Sequence, residues 1–100
     1  MSNAKKLSEI NITDVANYIR LEELTASDMQ LLTSILEASK AFILKYTGLS
    51  LIEADNYNDI VIALYVLCED MYDTRAMYVD NSNVNKVVEA ILGLHSVNLL

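Results

Sequence analysis

The chain has 100 residues, 53% of them hydrophobic, and its fourteen Asp and Glu against seven Lys and Arg set a formal charge of −7. That balance argues against phosphate-backbone binding, which draws affinity from Lys and Arg releasing counterions, and it disfavours an anionic membrane surface. The length suits one domain with a modest core, and two Gly with no Pro leave too little turn punctuation for an all-β fold.

The expectation is therefore an all-α chain: a small bundle of about four helices, one short, two long and one short, ending in an apolar C-terminal tail. No apolar run reaches the roughly 18 residues of a membrane span, and no signal peptide opens the chain. Its single cysteine, Cys68, has no partner for an internal disulfide and reads as a small buried hydrophobe.

Residues 1–11 read as a flexible leader. Within it Ser2-Asn3-Ala4 has the composition of a cleaved-tag scar, and with Met1 before it the stretch is equally consistent with native sequence. Residues 12–94 form the helical domain. Thr13 is placed to cap a short helix from Asp14 to about Leu21, with Val15, Tyr18 and Ile19 as its apolar positions. The next helix starts at Thr25 or Ser27, has Asp28 in its first turn and stops at Gly48. Leu32, Ile35, Leu36, Ser39, Phe42, Ile43 and Tyr46 line its inner face.

After a connection over residues 49–56, an unbroken run from Tyr57 to Val79 predicts the central helix, capped by Asp55 or Asn58. One apolar row is Ile60, Leu64, Leu67, Met71 and Tyr78; beside it lies Val61, Tyr65, Cys68 and Tyr72, and Ile62 and Val66 widen the belt. So broad an arc needs cover from more than one side. A polar break at Asp80-Asn81-Ser82-Asn83 precedes a last helix over about Val84–Leu92, stopped by Gly93. Residues 95–100 form the tail, whose Val97, Leu99 and Leu100 either fold back on the core or dock on a neighbour.

Candidate chemistry is sparse. A Ser-His-Asp or Cys-His arrangement would have to use His95, the one histidine, and nothing in the sequence brings it to Cys68. Zinc needs about four Cys or His ligands, and Asp55-Asn56-Tyr57-Asn58-Asp59 lacks the glycine and the closing Glu of a calcium loop. Glu69, Asp70 and Asp73 crowd one part of the central helix, but without a Glu-x-x-His partner they read as a wet face. No catalytic, metal or cofactor-binding residue is therefore assigned. Arg75 follows Met71 by four on an apolar row, so its guanidinium needs a carboxylate, either within the chain or across a subunit boundary. Six tyrosines, four on or beside the central helix, suit an interface as well as a core. The candidate interface residues are Tyr65, Tyr72, Arg75, Tyr78, Val97, Leu99 and Leu100.

Taken in order, Tyr18-Ile19-Arg20-Leu21, Asp28 with Leu31, Leu32 and Ile35, Ala38-Ser39, Tyr46-Thr47-Gly48, Met71-Tyr72-Asp73-Thr74-Arg75 and Val87-Val88-Glu89-Ala90-Ile91-Leu92 form a pattern over about residues 12 to 94. This pattern resembles the small head–tail connector (adaptor) proteins of long-tailed bacteriophages and prophages. Where that family often has a basic residue after its last helix, this chain has Leu94-His95-Ser96. The resemblance implies a structural protein without enzymatic activity or cofactor, found at the head–tail junction of the virion after assembly in the host bacterial cytoplasm. It implies a homo-oligomeric ring under the portal protein that extends the DNA channel and carries a head-completion or tail protein. DNA would pass through without specific binding, and no membrane is involved. The alternative is a small helical adaptor or regulatory protein that binds a single protein partner.

Overall fold

A computed structural model describes residues 5–74 and 85–97. The described chain is an all-α bundle of five helices, four of them seven residues or longer: α1 (Ile12–Tyr18), α2 (Ala26–Thr47), α3 (Leu51–Ala54), α4 (Asn58–Thr74) and α5 (Lys86–His95). The short, long, long, short order expected from periodicity is present, with α3 as one added turn.

Most helix starts are set by reciprocal capping boxes. Asn11, not Thr13, begins α1: its side chain accepts the Asp14 N–H at 3.0 Å, while Asp14 accepts the Asn11 N–H at 2.9 Å. Thr25 and Asp28 exchange the same pair of bonds at the start of α2. Ser50 and Glu53 do so for α3, inside the stretch read as a plain connection. Neither proposed cap serves α4. Asn58 is already its first residue, and the Asp55 carboxylate is taken by the backbone N–H and hydroxyl of Ser8, at 2.9 and 2.7 Å.

The ends differ more. Helix α1 stops at Tyr18 because Arg20 enters the left-handed region at φ 64°, and the N–H groups of Arg20 and Leu21 then bond Asn17 and Ala16. This is the glycine-type 6→1 closure made with an arginine. Helix α2 ends as expected at Gly48, with φ 77°. The buried Thr47 hydroxyl donates to the Ile43 carbonyl and accepts the Leu49 N–H, so the chain turns without leaving a buried donor unpaired. Gly93 does not stop α5, which runs on through Leu94 and His95.

Helix α4 is the spine. Ile60, Ala63, Leu64, Leu67, Cys68 and Met71 are buried, facing the Leu32, Ile35, Leu36 and Ile43 row of α2 and the Val88 and Leu92 row of α5. Helix α1 and the segment before it close a further side. That segment corrects the leader reading for residues 5–11. A 3-10 turn over Leu7–Glu9 buries Leu7 and Ile10 in the same core, and Lys40 donates to the Ile10 carbonyl at 2.9 Å. The wide apolar belt was expected to need cover from more than one side, and α2, α5 and α1 with the turn before it supply it.

Candidate interaction surface

On the side of α4 away from its fully buried row, a surface cleft of about 480 Å³ is lined by Lys5, Ile10, Asp14, Asn58, Val61, Ile62 and Tyr65. The Asn11–Asp14 box sets the start of α1 and so places the Asp14 carboxylate at the rim. There both oxygens accept from the Lys5 ammonium, at 3.0 and 2.9 Å. On α4 the spacing of Asn58, Val61, Ile62 and Tyr65 lines them along one side of the helix. The Tyr65 ring stacks on Tyr18 of α1, with centroids 4.8 Å apart and planes 12° from parallel.

Burial raises the Asp14 carboxyl, but the Asn11 N–H and the Lys5 ammonium outweigh it and hold the group below the usual carboxylate range. Burial also pushes the Tyr65 phenol up, and the negative charge of Asp14 adds to that. At neutral pH the cleft therefore holds a fixed ion pair, a neutral phenol and an apolar wall of Ile10, Val61 and Ile62. The chemistry of such a surface suits an apolar side chain.

Among the residues expected at an interface, Tyr65 is half-buried on this cleft and Tyr72 is half-buried against the core. Val97 lies elsewhere. Its side chain is 65% exposed while its N–H donates to the Thr47 carbonyl at 2.7 Å, on the terminus of α2. Arg75, Tyr78, Leu99 and Leu100 lie outside the described residues. The cleft's Lys5, Ile10 and Asp14 were not picked out from sequence. The signals were Leu7 and Ile10 three residues apart and the Asn11-x-x-Asp14 box. Ile52, 81% exposed beside the α3 cap, and Leu94, 77% exposed, were missed for a simpler reason: exposure of a single apolar residue has no sequence signature.

Cys68 and His95 are held by different partners. The Cys68 thiol is buried, which pushes it up from its ordinary range, and it donates to Ser39 Oγ at 3.5 Å; Ser39 in turn donates to Met71 Sδ at 3.6 Å. His95 Nε2 stands 2.8 and 2.9 Å from the Asp59 carboxylate oxygens. On the acidic part of α4, Asp73 is exposed whereas Glu69 and Asp70 are half-buried. Among the described residues, no three His, Cys, Asp or Glu side chains gather as a metal site. Compared with protein families, with curated proteins and with solved structures, the chain finds no match.

Proposed function

We propose that this chain is a non-enzymatic structural subunit of a phage or prophage head–tail connector ring, docking under the portal and offering a platform to head-completion or tail proteins. The observation that carries the reading is its surplus of apolar surface. Ile52, Leu94, Val97, Ile62 and Val87 are each more than half exposed, at 81, 77, 65, 54 and 52%, although the bundle already has a closed core. They are distributed over α3, α4, α5 and the residue run after α5. A ring subunit needs two different complementary patches, so apolar residues on several elements suit it better than a single patch would. The ordered residue pattern from Tyr18 to Leu92 supports the same class. The formal charge of −7 suits a channel wall that repels phosphate rather than holding it.

Native mass spectrometry and electron microscopy of the protein mixed with a portal protein from the same genome test the reading. A ring on the portal is the expected result. A stable one-to-one complex with another protein and no ring supports the adaptor alternative, which the cleft beside Tyr65 favours. A monomer that ignores the portal overturns the connector reading.

A further inference from the structure

Among the described residues, one that is not a glycine adopts the left-handed conformation, and it stands where α1 ends. Arg20 has φ 64°. Its backbone is fixed from both sides: its N–H donates to the Asn17 carbonyl at 3.2 Å, and the Leu21 N–H donates to the Ala16 carbonyl at 2.9 Å. Ile19 and Leu21 on either side pack on the core. A glycine makes this closure without strain, whereas a residue with a Cβ is strained there. Packing of the two neighbours accounts for the turn but not for an arginine in it. The side chain returns nothing to its own fold. It is exposed and, among the described residues, makes no hydrogen bond or ion pair, not even with Glu22 and Glu23 close by in sequence. Strain kept at an exposed position, with no gain inside the chain, implies a gain made outside it.

We propose that Arg20 is the cation through which one copy of this chain grips an exposed carboxylate on a second copy. On the ring reading above, which this assignment rests on, Arg20 is the side chain that joins neighbouring subunits. Charge decides the occupant. Each copy carries a formal −7, so two copies repel unless a cation on one faces an anion on the other. Exposed carboxylates are plentiful, among them Glu22, Glu23, Glu37, Asp73 and Glu89. Cations are fewer. Lys5 is held by Asp14 and Lys40 by the Ile10 carbonyl, while Lys6, Lys45 and Lys86 are exposed on ordinary backbone. Arg20 is the only arginine among the described residues, and its guanidinium can take both oxygens of a carboxylate at once, which an ammonium does not. The fixed turn presents it with little backbone ordering left to do at the contact. Two residues earlier Tyr18 is 42% exposed and stacked on Tyr65, and tyrosine with arginine is the pairing that carries much of the binding energy at protein interfaces.

Arg20→Gly separates the two demands on this position. In dilute solution, where the chain is a monomer, it should raise Tm by about 2–6 °C, the relief of a left-handed side chain less the entropy that glycine adds to the unfolded chain. The same variant should self-associate about tenfold more weakly than wild type, read by sedimentation of the protein alone and with a portal protein from the same genome. Arg20→Glu, which sets like charges against each other, should associate more weakly still, and added salt should weaken wild type more than Arg20→Gly. Assembly of Arg20→Gly as strong as that of wild type overturns the proposal and leaves the ring reading standing. So does a Tm lowered by Arg20→Gly, since the side chain would then be serving its own fold. No assembly of wild type, alone or on the portal, overturns the ring reading and this contact with it.

Discussion

Helix α4 has two unlike apolar sides. On its inner side Ile60, Leu64 and Leu67 are fully buried and Met71 is 1% exposed, in the core that α4 shares with α2 and α5. On the cleft side Val61 and Tyr65 are only half-buried, and Ile62 is 54% exposed. In composition the two sides are nearly alike. What separates them is cover: the 22-residue α2 and the ten-residue α5 pack on the first, while the second faces the seven-residue α1 and the segment before it. Apolar periodicity reports that a side wants cover, not that the chain itself supplies it.

The contrast is open to test. Leu67→Ala on the inner side should cost the most, about 2–5 kcal/mol, because the lost contacts leave a cavity between packed helices. Chemical denaturation measures it, and a loss under about 1 kcal/mol would mean the inner side is not close-packed. Tyr18→Ala, which removes the ring stacked on Tyr65, should cost about 1 kcal/mol and leave the fold intact. On the outer surface of α5 a methyl added at Gly93 meets nothing within 4 Å. Gly93→Ala should therefore stabilise the chain by about 0.5–1 kcal/mol through helix propensity alone, read as a raised Tm. Destabilisation instead would show that Gly93 ends the helix in solution. Ile62→Ser should change stability by less than about 0.5 kcal/mol, yet weaken any association that uses the cleft; sedimentation of wild type and variant side by side separates the two effects.

The smallest effect concerns pH at the cleft rim. Asp14 is lowered in the folded chain, so its contribution is present above the ordinary carboxylate range and is lost as the pH falls through its folded value. Wild type should lose Tm on acidification below about pH 4, and Asp14→Asn should lose less over the same interval. An identical acid slope in the two proteins would show that the Lys5–Asp14 pair carries no linked stability.

Three helix ends show how far a residue type can be read by itself. Gly48 was expected to stop α2 and does, because Leu49 beyond it is buried and Thr47 takes the Leu49 N–H. Gly93 was expected to stop α5 and does not. Leu94 beyond it is exposed, and the helix continues to bring His95 onto Asp59. Arg20 carried no stop signal, yet it turns left-handed at φ 64°, where the N–H of Leu21 closes back on the Ala16 carbonyl and Leu21 packs on the core. A left-handed arginine costs about 1 kcal/mol more than glycine would, so burial of the next residue, Leu21, decides the turn. The cleft was hidden for a related reason. Ile10 and Asp14 belong to segments short in sequence, and only their docking on α4 makes them walls.

From the sequence alone came the helical class, the order of short and long helices, the core row Ile60, Leu64, Leu67 and Met71, and the left-handed stop at Gly48. These rest on spacing and backbone chemistry within a few residues, which a linear reading contains. The tertiary structure decided that residues 5–11 pack, that Gly93 stays helical, that His95 meets Asp59, and which apolar residues remain in solvent. Each of these depends on two segments far apart in the chain arriving at one place, with free energy that neither segment has until the other is there.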